Sequence, residues 1–169
     1  TIDDIPQAIL TVGRCLNCDA TAYHLAEKMQ LQLAELRTAV EKSIISKKVI
    51  PSVYVEIWPD PLTTVGKSSF ISEVIHLAGG NNIGDQIDKK YFVVSPEWVL
   101  QNNPDVIVCF YMNEKTNIAE YLATRTGWSH VRALKNKRVY AVKHSAIILR
   151  PGPRVLEGID IMKSFIAGN

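Results

Sequence analysis

Apolar residues in the first 43 positions recur at intervals of three and four. Ile5, Ile9 and Val12 mark one side of a short helix over residues 3–13. Ala22, Leu25, Met29, Leu33, Leu36 and Val40 mark one side of a longer helix over residues 20–43, with Asp19 placed to cap it. Glu27, Lys28, Gln32, Glu35 and Lys42 fall on the other side. At about 1.5 Å per residue the second helix spans about 35 Å, the width of a small domain.

After residue 50 the pattern alternates between strand and helix. Val53–Ile57 reads as a strand after Pro51. Ser68 or Ser69 can cap a helix carrying Ile71, Val74, Ile75 and Ala78, stopped at Gly79-Gly80. Ser95-Pro96-Glu97 is a helix start, with a capping serine, proline in the first helical position and an acid in the first turn. Asn102-Asn103-Pro104 ends that helix. Asp105–Phe110 is a continuous apolar run of the kind a buried parallel strand requires. Residues 115–126 predict a helix with Ile118, Tyr121 and Leu122 inward, closed by Gly127. Arg138–Val142 predicts the next strand, and a last helix follows Pro153 with Val155, Ile159, Met162 and Phe165 or Ile166 inward.

Strands alternating with helices imply an α/β fold, a three-layer αβα lobe with a mainly parallel sheet preceded by a long α-helix. Ligands of such sheets lie beyond the carboxyl ends of the strands, here segments 58–67, 111–115 and 143–152. At 169 residues, 47% apolar and 21% charged, the chain is long and apolar enough to bury a core. The net charge is +2 and no basic stripe is present, which argues against nucleic acid as a partner. No stretch approaches the roughly 18 apolar residues of a membrane helix. The opening Thr1-Ile2-Asp3-Asp4 has no initiator Met and no positive leader, as in a processed or truncated chain.

Little enzyme chemistry is legible. There is no GxGxxG, no complete P-loop (Pro61 stands where the first glycine belongs before Gly66-Lys67-Ser68) and no GxSxG. His24, His76, His130 and His144 are scattered, with no pair at helical spacing. Cys15 and Cys18 form a lone Cys-x-x-Cys with no second pair to complete a zinc site, so they read as unremarkable or adventitiously paired thiols, and Cys109 reads as core. Three places carry more information. Leu149–Arg154 is a stiff Pro/Gly-rich approach to a helix, in which Arg150 is either a solvated turn residue or an anion contact. Trp58 in its Pro-rich loop, and Tyr91-Phe92 before the helix cap, are ligand platforms or loop anchors. Glu97 alone reads as an acid favoured by the helix dipole.

Taken in order, these pieces resemble the class III, helical-backbone periplasmic binding proteins of ABC importers for cobalamin, iron siderophores and haem. Thr1–Gly13 followed by a long helix resembles the end of the first lobe running into the interdomain helix. Val53–Ile83 is similar to the strand, ligand loop, helix and Gly-Gly-x-Asn turn that open the second lobe. Val94–Val108 resembles the acid-bearing helix and next strand, and Trp128–Gly158 the closing segment. Four weak matches in the right order and spacing cover nearly the whole chain.

The resemblance implies residues 1–18 as a remnant of the N-terminal lobe, 19–45 as the interdomain helix and 46–169 as the C-terminal α/β lobe. It implies a binding protein, not an enzyme, that buries a metal chelate, cobalamin or a ferric siderophore, between two lobes. The metal arrives already chelated, so no cofactor is bound directly. Trp58, Pro61, Thr63, Thr64, Tyr91, Phe92, His144 and Arg150 are then ligand-contact candidates, and Glu97 the carboxylate that docks onto ABC permease subunits. It further implies an exported, monomeric protein at the periplasm or cell surface, lipid-anchored in its full form. Roughly the first hundred residues of such a protein are absent, and with them half the cleft. Read from residues alone, the alternatives are a small α/β enzyme domain using Lys67, Ser68 or the cysteine pair, and a protein-interaction module whose surface includes Glu97.

Overall fold

A computed structural model describes residues 1–46, 49–111 and 117–168. The two leading helices are α1 (Asp4–Cys15) and α2 (Asp19–Ile45). They pack along one another across Gly13, where a Cβ would come within 2.2 Å of the Ala22 Cβ, so the close crossing requires glycine. Asp19 does not cap α2. Cys18 holds that position without a side-chain bond, and Asp19 lies in the first turn, where the dipole favours its charge. α2 is one rod of 27 residues, about 40 Å long. Its buried seam is Ala22, Ala26, Met29 and Leu33, at spacings of four, three and four, and Leu25, expected inward, is 41% exposed. Ile2 and Ile5 share a core with Met29, Leu33, Val53 and Ile159, so segments 1–18, 19–45 and the later chain pack together.

The main sheet contains β1 (Ser52–Glu56), β4 (Asn81–Asn82), β6 (Val106–Cys109) and β7 (Val139–Ala141), in the order β4-β1-β6-β7 with every pair parallel. Successive side chains point to opposite faces of a strand. Val53, Val55, Val106 and Val108 therefore meet α3 (Phe70–Leu77) and α8 (Val155–Ala167), while Tyr54, Ile107 and Cys109 meet α4 (Pro96–Asn102), α5 (Ile118–Ala123) and α6 (Arg132–Lys135). This is the expected αβα layering. Two helix starts are formed as the sequence predicts: Ser69 accepts from the Ser72 amide at 3.0 Å, and Ser95 from the Trp98 amide at 3.3 Å.

The differences are local. The helix expected over 115–126 is α5, which is shorter, and Tyr121 is 39% exposed instead of inward. Residues 112–116, including most of the expected 111–115 ligand loop, lie outside the described residues. A short helix, α7 (Ala146–Leu149), occupies part of the 143–152 segment and packs on α3 and α8.

The larger difference is a second sheet. β2 (Trp58–Pro59), β3 (Leu62–Val65) and β5 (Tyr91–Val93) form an antiparallel ribbon, order β2-β3-β5, where a Pro-rich loop and a helix approach were expected. Strands of two to four residues are too short for a periodic signal, and Pro59 and Pro61 disguise two of them. The ribbon stands on the carboxyl end of β1. The Ile57 amide donates to the Thr63 carbonyl at 2.9 Å, and the Thr64 hydroxyl to the Val55 carbonyl at 2.7 Å. Gly84 closes the ribbon's lower end, because a Cβ there would lie 2.0 Å from the Val65 carbonyl oxygen.

Candidate ligand-binding edge

The ribbon sorts the candidate residues by face. Residues directly opposite in an antiparallel ladder point the same way. Trp58 pairs with Thr63 and Thr63 with Val93, and Tyr91 lies two residues from Val93. Trp58, Thr63, Val93 and Tyr91 therefore share one face. It is turned to solvent at Trp58, Val93 and Tyr91, which are 56%, 62% and 50% exposed, whereas Val65, the partner of Tyr91, is fully buried, so the ribbon turns inward at its lower end. Thr64 pairs with Phe92 on the inner face. Thr64 is fully buried and its hydroxyl is held by Val55, while the Phe92 ring meets Trp98 edge-on at 5.8 Å. These two anchor the ribbon to the lobe instead of offering a ligand surface. Pro61 is exposed at the β2–β3 turn, after a cis Asp60–Pro61 peptide.

His144 and Arg150 flank α7, beyond the carboxyl end of β7, and both are exposed. β7 lies two strands from β1, about 10 Å across the sheet at ordinary strand spacing. They share the carboxyl edge with the ribbon but form a separate part of it. No hydrogen bond joins them to Trp58 or Tyr91 among the described residues. Arg150 caps the C-terminus of α7, and it is Arg154 that precedes α8.

Between these parts lies a buried polar cluster that the sequence reading missed. Glu56 ends β1 with no exposed surface. Its carboxylate accepts from Arg125 through two bonds of 2.7 and 2.8 Å, from Tyr54 at 3.2 Å and from the Tyr111 hydroxyl. The Arg125 guanidinium lies over the rings of Trp128 and Tyr121, 4.6 and 5.3 Å from their centroids. Burial works against that charge, but Glu56 offsets it through hydrogen bonding and charge, so the arginine pKa rises overall. Burial also pushes the Tyr54 and Tyr111 phenols well above their ordinary range, and Glu56 adds to the rise. The one available signal was an acid ending the apolar run Val-Tyr-Val-Glu, since a carboxylate in a doubly covered strand needs a partner.

Glu97 is exposed in the first turn of α4. The Ser95 hydroxyl and its own backbone amide hold its carboxyl below the usual range, so it carries a charge at neutral pH. The turn at Gly66–Ser68 offers no anion cradle: the amides of Gly66, Lys67 and Ser68 donate to the carbonyls of Lys90, Ile87 and Lys89. A cavity of about 770 Å³ lies at the opposite end of the lobe, between the second half of α2 and Gly79–Asn81. It adjoins Pro51 and Asn81, at the amino ends of β1 and β4, away from the edge where such folds bind ligands.

The parallel-sheet lobe thus carries exposed aromatic side chains at its carboxyl edge, where α/β folds bind ligands. Known proteins of similar sequence and fold bear on this. The chain is 28% identical over 162 residues to the uncharacterized ABC transporter substrate-binding lipoprotein YvrC of Bacillus subtilis (strain 168), covering 95% of this chain and 49% of that protein. It is 29% identical over 108 residues to a vitamin B12-binding protein of Pectobacterium atrosepticum, covering 64% and 39%. Its fold superposes with a TM-score of 0.82 on a possible iron-binding, periplasmic solute-binding protein from Staphylococcus epidermidis, at 24% identity, covering 98% of this chain and 62% of the other. The sequence profile of the periplasmic binding protein family matches residues 1–146, and the chain belongs to that family. The family is one of binding proteins, not of enzymes. The chain spans about half the length of the curated relatives it matches.

Proposed function

We propose that this chain is the C-terminal lobe and interdomain helix of the substrate-binding component of an ABC importer, exported to the periplasm or cell surface. The receptor closes on a metal chelate, cobalamin or a ferric siderophore, and delivers it to the membrane permease. The boundaries at 18/19 and 45/46 are those of lobe remnant, helix and second lobe. The observation that carries the reading is the outer face of the ribbon. Trp58, Thr63, Val93 and Tyr91 form an apolar, aromatic surface on the edge where α/β folds bind ligands. The names of the relatives supply the cargo class.

In this reading Trp58 and Tyr91 stack on the chelate, Val93 and Thr63 lie between them, and Pro61, His144 and Arg150 border the cleft. Thr64 and Phe92 act from beneath, by fixing the ribbon. Glu97, ionised and exposed, meets cationic groups of the permease. Spacing of the lobes is set by α2, a single rod, so closure is a small hinge motion.

Fluorescence titration of the complete receptor with cyanocobalamin, a ferric hydroxamate and hemin tests the proposal. Saturable quenching by one of them is expected, carried by exposed Trp58 and reduced in Trp58→Phe, because Trp128 is fully buried and Trp98 is half-buried against Phe92. Absence of micromolar binding to all three sinks the reading.

A further inference from the structure

The turn between α1 and α2 holds the Cys-x-x-Cys that the binding reading leaves unused. α1 ends there in a reversal of defined geometry. The Cys18 amide donates to the Gly13 carbonyl at 2.8 Å and the Asn17 amide to the Arg14 carbonyl at 3.3 Å, with Asn17 left-handed at φ 53°. This nested pair of bonds around a left-handed residue is the Schellman arrangement. It places Cys15 in the last turn of α1 and Cys18 at the N-cap of α2, with only Leu16 and Asn17 between them.

Both thiols are free and exposed, whereas Cys109 is fully buried, so among three cysteines only one pair is open to exchange. The Cys18 sulfur lies 3.3 Å from the Leu16 carbonyl oxygen, folded back over the turn towards the residue that follows Cys15. The helices on either side approach closely at Gly13 and Ala22, and Ile2 and Ile5 lie in the core, so the two ends of the turn are held near one another. Two accessible thiols held in one fixed reversal favour closure of a ring over capture of a second molecule.

We propose that Cys15 and Cys18 are a reversible dithiol–disulfide site that staples the α1–α2 hairpin under oxidising conditions. A low-molecular-weight disulfide is the oxidant. One cysteine thiolate attacks a sulfur of that disulfide and expels a small thiolate, giving a mixed disulfide. The second cysteine thiolate then attacks the protein-bound sulfur and expels the other small thiolate. The pair loses two electrons and two protons, and one small disulfide becomes two small thiols. The site is independent of which cargo is bound.

The experiment incubates the purified chain with oxidised glutathione, quenches with acid and alkylates what remains. Cys15 and Cys18 lie in one tryptic peptide, because cleavage follows Arg14 and Lys28. The expected result is that peptide two hydrogens lighter, unalkylated and free of glutathione, restored by dithiothreitol. The oxidised form should melt higher by about 5 °C, as a four-residue loop closure in a chain of this size implies, and Cys15→Ser and Cys18→Ser should abolish the shift. Stable glutathione adducts on either cysteine, disulfide-linked dimers, or a reduced pair after full incubation overturn the proposal.

Discussion

Removing Arg125 is the sharpest test of how the carboxyl edge is held. Glu56 has no exposed surface and four donors, two of them from Arg125 at 2.7 and 2.8 Å. Arg125→Met keeps an unbranched stem over Trp128 but leaves the carboxylate with two phenols and no opposite charge. Breaking a buried pair in this way costs about 3–5 kcal/mol. Glu56→Gln strands a guanidinium that is only 16% exposed and is destabilising for the same reason. The double variant removes both charges, so it should be more stable than the sum of the singles predicts, by about 1–3 kcal/mol. Urea unfolding followed by far-ultraviolet circular dichroism reads all four proteins. With a slope of about 2 kcal/mol per molar for a chain of this size, the Arg125→Met midpoint should fall by about 2 M. A loss under about 0.5 kcal/mol in Arg125→Met, or strict additivity in the double variant, refutes the claim that the pair acts as a buried unit.

Four further outcomes follow from the same structure. Gly84→Ala should cost about 2 kcal/mol or more in denaturant, because its Cβ would sit 2.0 Å from a backbone carbonyl that cannot move aside. Asp105 is partly desolvated, which raises its pKa, but bonds from the Ser52 amide and hydroxyl and the charge of Arg132 lower it more. A depressed folded pKa stabilises above the unfolded value of about 3.9 and is lost as the pH falls through the folded value. Asp105→Asn should therefore lower the urea midpoint at pH 7 and converge with the parent below that window. Val93→Glu should weaken chelate binding at least about tenfold with the melting temperature unchanged, since the residue is 62% exposed and on the outer face. Glu97→Arg should leave chelate affinity intact and impair uptake by cells carrying the cognate permease.

The layered α/β fold was legible in the sequence because its elements are long or strongly punctuated. The threes and fours of α1 and α2, the serine caps of α3 and α4 and the apolar run of β6 each rest on local chemistry, although two residues of the expected apolar stripes, Val12 and Leu25, are 57% and 41% exposed. Trp58 and Tyr91 were legible as candidates, since an aromatic in a polar or proline-rich stretch is conspicuous wherever the chain goes. Which side of a strand they faced was not. Thr63 and Thr64 are adjacent in sequence, yet Thr63 is only half-buried and Thr64 is fully buried, and only the seating of the ribbon on β1 decides between them. Val93 joined the outward face through its pairing with Thr63. The Glu56–Arg125 pair spans 69 positions, and no local rule connects an acid at the end of one strand to an arginine after a distant helix. Periodicity reports what each segment needs to bury. The partner that satisfies that need is set by which strands lie side by side.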